Sequence, residues 1–150
     1  MCGIAGFVGS GTDLDLKRMV GSLRHRGPDD LGYWSSESAA LGMRRLSIID
    51  VEFGQQPMFN AEGNIIVVFN GEIYNAPELR AELERDGYSF KSDHSDTEVI
   101  IPLYEKYGMS FPNKLRGMFA IALWNAARKE LLLIRDRAGI KPLYYANIEG

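Results

Sequence analysis

A single cysteine and two histidines are all that 150 residues hold of those two types, and each scarcity excludes a class of protein. One thiol cannot close an internal disulfide, so the chain is no disulfide-stapled secreted scaffold, and a reducing cytoplasm is the expected compartment. No apolar run approaches the roughly 20 residues that a membrane helix needs, and the first residues lack the basic flank and long apolar stretch of a secretory signal. No broad basic face accompanies a net charge of -3. Arg24, Arg26, Arg44 and Arg45 form only two small local clusters, so nucleic acid is not an expected partner. Internal repeats, low-complexity tracts and linkers are also lacking, and no metal site is expected.

What is present is the make-up of a globular domain: 45% hydrophobic and 25% charged residues in 16.8 kDa, enough for one buried core and too little for two ordinary ones. The opening "CGIAGFVG" is apolar, too short for a helix and followed by a Gly-Ser-Gly-Thr turn, which predicts a buried strand with Cys2 at its start. With Asp13 as N-cap, Leu16, Met19, Val20 and Leu23 fall on one helical face, and the helix stops near "RHRGPDD". The runs "AALGM", "LSIID" and "NIIVVFNGEIY" predict strands, the last preceded by the turn-forming "AEGN".

Pro77 opens a second predicted helix, with Leu79 and Leu83 on one face and Gly87 as its stop. A third spans Thr97 to Tyr107, burying Val99, Ile100, Leu103, Tyr104 and Tyr107, and ends at Gly108. "MFAIALWNAARKELLLIRD" predicts a hairpin turning at Asn125 to Lys129, and "KPLYYA" a final strand. Strands at both ends with helices between predict a layered α+β domain.

The position of the one thiol carries chemistry. Aminopeptidases remove an initiator methionine when the second residue is small, which would leave Cys2 with a thiol and a free α-amine on one residue. An α-amine titrates near ~7.7–8.0 and a cysteine thiol near ~8.5, so the amine can take the thiol proton close to neutral pH. If Met1 stayed, that amine would be a peptide nitrogen and the base would be lost. Read by itself, the residue is equally well a small buried hydrophobe. A Cys-His pair is the competing arrangement, with His25 and His94 as the only candidates, and no spacing connects either to Cys2.

Seven stretches agree in order and approximate spacing: "MCGIAGFVG", "RHRGPDD", "RRLSIID", "FNGEIYN", "SDTEVI", "RGMFAIALW" and "RDRAGIKPLYY". Together they resemble the N-terminal glutaminase domain of glutamine-dependent asparagine synthetases, a branch of the class II glutamine amidotransferases. The resemblance covers residues 2 to about 146. It implies a four-layer αββα N-terminal-nucleophile hydrolase fold over 1–150, truncated at its C-terminal end and without the ATP-dependent synthetase domain. A missing last strand would expose a sheet edge, with self-association into a homodimer as its simplest consequence.

The family's activity implies that Cys2 attacks the side-chain amide of L-glutamine, giving a thioester and ammonia, and that water then releases glutamate. Asn70 and Gly71 match the oxyanion hole through the Asn70 amide and the Gly71 N–H; an ordinary Asn-Gly turn is the alternative. Arg45 matches the grip on the substrate α-carboxylate, Arg44 beside it points to the surface, and Leu46, Ser47, Ile48 and Ile49 supply the rest of that wall. Asp96 matches the partner of the α-ammonium, with a helix cap as the competing role, and Glu72 aligns with a substrate-contacting glutamate. Arg24, His25, Arg26, Asp29 and Asp30 are read as a structural ion-pair network, and Asp136 and Arg137 as structural. No cofactor is implied for this domain; ATP and magnesium belong to the synthetase half.

Three functions follow. The first is glutamine hydrolysis supplying ammonia for asparagine or a related amide. The second is a non-catalytic glutamine-binding or interaction domain that keeps the fold. The third is Cys-His hydrolysis through His94.

Overall fold

In a computed structural model, which describes residues 2–46 and 54–148, seven strands form two antiparallel sheets flanked by helices. The first sheet has the order β1 (Gly3–Val8), β3 (Ala39–Arg45), β2 (Asp30–Ser35). The second has the order β4 (Met58–Phe59), β5 (Ile65–Ile73), β6 (Gly117–Asn125), β7 (Glu130–Arg135). Helix α1 (Asp13–Ser22) covers the first sheet, while α2 (Ala76–Arg85) and α3 (Ile100–Tyr107) cover the second.

Side-chain alternation builds the layers. On β5, Ile65, Val67 and Phe69 join the core under α2 and α3, whereas Ile66 and Val68 face the first sheet. On β3, Leu41 and Met43 meet them across the sandwich, and Ala40 turns outward to Leu16 and Val20 of α1. Each central strand is therefore apolar on both faces, which is why "AALGM" and "IIVVF" are continuous apolar runs. The result is the four-layer αββα order that the resemblance implies.

Several local expectations need correction. Thr12, not Asp13, caps α1, in a capping box in which its side chain accepts from the Asp15 N–H and the Asp15 carboxylate accepts from the Thr12 N–H. Leu16 and Val20 are buried, but Met19 is exposed and Leu23 lies just past the helix. The third helix begins as a 3-10 turn at Thr97–Val99, and a second 3-10 segment, Gly108–Lys114, follows it. Strand β2 went unpredicted because it is an edge strand with alternately exposed residues and a glycine in its middle, too weak a pattern to announce itself. β1 is likewise an edge, and mostly half-buried. "KPLYYA" is not a strand: residues 142–148 have no regular structure, and Tyr144 and Tyr145 are exposed. Of the "LSIID" run only Leu46 lies within the described residues.

Candidate functional site

One end of the sandwich opens into a cavity of about 180 Å³ whose walls include Cys2, Arg45, Leu46, Asn70, Gly71, Glu72 and Asp96. That volume lies below the ~300–1,000 Å³ of sites for drug-sized ligands, and suits a ligand of amino-acid size. Ser47, Ile48 and Ile49, expected in the same wall, lie outside the described residues, as does Met1.

Strand parity carries these side chains inward. Cys2 and Ile4 share the inter-sheet face of β1. The β1–β3 register pairs Gly3 with Arg44, which sets Cys2 opposite Arg45. Arg45 follows Met43 on the inner face of β3 and is buried at 5% exposure, while Arg44 takes the other face and is half-buried rather than on the surface. Asn70 and Glu72 continue the inner face of Ile66 and Val68 on β5.

The Cys2 sulfur rests against the Leu46 peptide: the Leu46 N–H donates to it at 3.4 Å, and the thiol faces the Leu46 carbonyl at 3.8 Å. The Arg26 Nε donates to the Cys2 carbonyl at 3.2 Å, and the Asp29 N–H to the Arg45 carbonyl at 3.1 Å. The "RHRGPDD" segment thus holds the backbone on both sides of the thiol, a role that the ion-pair reading did not include. His25 bonds the Ser22 carbonyl and His94 contacts Asp93, both at the surface, and neither lines the cavity.

Asn70 is buried at 5% exposure, and its side-chain amide takes no hydrogen-bond partner among the described residues. The amide opens to the cavity, where it can donate to a bound group. Gly71 beside it tolerates no side chain, since a Cβ there would lie 2.1 Å from the Met118 carbonyl oxygen.

Asp96 precedes the 3-10 turn but makes no side-chain cap bond. Its Oδ2 accepts instead from the Ile73 N–H of β5 at 2.9 Å. Burial raises its pKa above the ordinary carboxylate range, against the lowering effect of that hydrogen bond. The loop bearing Asp96 is braced from α2: Arg80 donates to the carbonyls of Ser92 and Ser95 at 2.7 Å each, pairs with Glu98 at 3.3 Å and stacks on Phe90. Glu98 in turn accepts from the N–H groups of Lys91 and Ser92.

Among the lining residues that the sequence reading did not name are Gln56 and Lys141. Gln56 sits in the polar "GQQP" loop, where no pattern marks it. Lys141 is buried, and it reaches the cavity because Asp136, also buried, gathers the N–H groups of Phe119, Ile140 and Lys141. Burial works to raise the Asp136 pKa, but the hydrogen bonds from Lys141, Ile140 and Phe119 outweigh it and hold the carboxyl below its usual range. Arg137 caps the carbonyls of Leu115 and Asn113. Among the described residues no group of three or more His, Cys, Asp or Glu side chains could hold a metal ion, and no helix is long and apolar enough to cross a membrane.

The chain is similar to known proteins. Residues 1–150 match a family model described as a glutamine amidotransferase domain. Asparagine synthetase [glutamine-hydrolyzing] 1 of Bacillus subtilis is 50% identical over 133 residues, 89% of this chain and 21% of that protein. Asparagine synthetase B [glutamine-hydrolyzing] of Escherichia coli is 43% identical over 152 residues, 96% of this chain and 26% of that protein. The chain thus spans about a fifth to a quarter of the length of these curated relatives. Among solved structures, glutamine phosphoribosylpyrophosphate amidotransferase from B. subtilis superposes with a TM-score of 0.79 at 20% identity, covering 95% of this chain and 38% of that one.

Proposed function

Since the chain belongs to the glutamine amidotransferase domain family, we propose that this cavity binds L-glutamine and that Cys2 cleaves its side-chain amide through a thioester. The observation that carries the reading is convergence: a thiol, a buried guanidinium, an open amide and a carboxylate come from four separate segments to one cavity of amino-acid size.

Arg45 suits the substrate α-carboxylate, because a guanidinium grips a carboxylate with two parallel N–H bonds. Asp96, with Glu72 near it, suits the α-ammonium. These two ends leave the side-chain amide directed at Cys2. Once Met1 is removed, the Cys2 α-amine takes the thiol proton and the sulfur attacks the amide carbon. The carbonyl oxygen becomes an oxyanion between the Asn70 amide and the Gly71 N–H. Its collapse breaks the carbon–nitrogen bond, the ammonium proton passes to the leaving nitrogen, and ammonia departs. Water then attacks the thioester, giving glutamate and restoring the thiol.

The relatives are named as glutamine-hydrolysing asparagine synthetases, and the ammonia is assigned here to a synthetase domain of that type, which makes asparagine or a related amide. The test is an intact-mass spectrum after exposure to a glutamine analogue with a diazoketone in place of the amide, with and without competing L-glutamine. Loss of Met1 with one glutamine-protected adduct on Cys2 is the expected result. Retained Met1 and no adduct would leave a fold without its chemistry, and would favour a binding domain.

A further inference from the structure

The outer edge of β5 is closed in an unusual way next to Cys2. Along an antiparallel strand the N–H groups of alternate residues face the same neighbour. The Gly71–Phe119 pair is not a bonded one, because the Phe119 N–H goes to Asp136 on the far side, so Gly71 and the other odd-numbered residues of β5 direct their N–H groups away from β6. On that outer edge Val67 pairs with Met58 of β4, but β4 is only two residues long. The next outward N–H, that of Phe69, is taken by the side-chain Oε1 of Gln56 at 2.6 Å. The Ile73 N–H is taken by Asp96 Oδ2 at 2.9 Å. Between these two, the Gly71 N–H has no hydrogen-bond partner among the described residues.

We propose that Gln56 is a positioning residue for amide cleavage: its side chain stands in for a strand at Phe69 and stops there, leaving the Gly71 N–H open beside Cys2. The inference rests on the glutamine chemistry proposed above. A backbone neighbour bonds every second residue, so a β4 extended past Met58 would consume the Gly71 N–H as well. With no neighbour at all, the β5 edge would lose the bond that holds it two residues, about 7 Å, before the donor. The Gln56 amide oxygen bonds the Phe69 N–H, and the next outward donor lies about 7 Å farther along the strand, beyond its reach. Gln56 is itself held in place by β2, where Gly32 lets the loop lie flat: a Cβ at residue 32 would fall 1.8 Å from the Gln56 carbonyl oxygen. Asp96 closes the other flank, so one carboxylate links the ammonium end of the site to the oxyanion end.

Gln56→Met keeps the length of the side chain and removes the acceptor. The variant should lose about 10- to 100-fold in kcat for glutamine hydrolysis, the scale on which a small misplacement of a catalytic donor acts. Inhibition by L-glutamate γ-semialdehyde, whose hemithioacetal with Cys2 sets an oxygen in the hole, should weaken in parallel. The Kd for L-glutamine, measured with Cys2→Ala as background, should change by less than about threefold. Turnover within about threefold of wild type, or a glutamine affinity that falls as far as aldehyde affinity, overturns the proposal. Amide exchange on the wild-type protein needs no variant: Phe69 and Ile73 should be protected, and Gly71 should exchange freely until the aldehyde binds. A Gly71 amide already protected in the free protein also overturns it. A wild type that neither hydrolyses glutamine nor binds the aldehyde overturns the functional reading and this inference together, whereas failure of the Gln56 or exchange results alone overturns only the inference.

Discussion

Arg45 and Asp96 reach the same cavity in different electrostatic situations, and their variants should separate accordingly. If Arg45 holds the substrate α-carboxylate as proposed, Arg45→Leu removes a charge-assisted grip worth about 1.5–3 kcal/mol, so the KM for glutamine should rise about 10- to 100-fold with kcat less affected, as steady-state kinetics would show. Asp96 is a carboxyl whose pKa burial has raised above 3.8. In the role proposed for it, Asp96 would pair with the substrate ammonium only when ionised. The KM should therefore rise as pH falls through the raised pKa, and Asp96→Asn should abolish that acid limb while raising the KM at pH above it. The stability sign is opposite. The folded state holds the Asp96 proton more tightly than the unfolded chain does, so ionised Asp96 lowers stability at neutral pH, and this loss is recovered as pH falls through the folded pKa. Thermal unfolding of wild type and Asp96→Asn across acid pH would display the difference.

Elements differ in how far local chemistry specifies them. Helix α1 is set by its own residues: the Thr12–Asp15 box closes its N-terminus, and Leu16 and Val20 supply its buried stripe. Thr12→Ala should cost about 1 kcal/mol in denaturant unfolding and leave glutamine turnover unchanged, because the cap lies outside the cavity. Strand β5 was legible in outline, since β-branched residues run into "FNGE". Its edge was not. That Phe69, Gly71 and Ile73 meet a glutamine, an open cavity and an aspartate depends on loops 13 and 23 residues away in sequence. Asp96 illustrates the same limit: its place before a helical turn reads as a cap, and only the neighbouring strand shows that its carboxylate is used elsewhere. "KPLYYA" errs in the opposite direction, being apolar and aromatic enough for a strand but paired with no neighbour among the described residues.

At the scale of the molecule, the sandwich is tied to its helical cover by buried polar contacts as well as by apolar packing. Arg80 and Glu98, with side chains 10% and 11% exposed, lock α2 to the Asp96 loop. Arg80→Leu strands the Glu98 charge and should cost about 3–5 kcal/mol in denaturant unfolding. Where the variant still folds, its KM for glutamine should rise, because the Asp96 loop loses two carbonyl anchors. What the sequence determined by itself is the α+β class, most element positions, the thiol at residue 2, and through its motifs the family and the residue types of the site. These properties are local or repeat at fixed spacing, and so survive in one dimension. Only the tertiary structure decided which face each strand turns inward, that Arg26 holds the Cys2 carbonyl, that Gln56 and Lys141 join the cavity, and that the Gly71 N–H is left open. Those features arise where chain segments far apart in sequence meet, and hydrogen bonds between such segments leave no periodic trace in the order of residues.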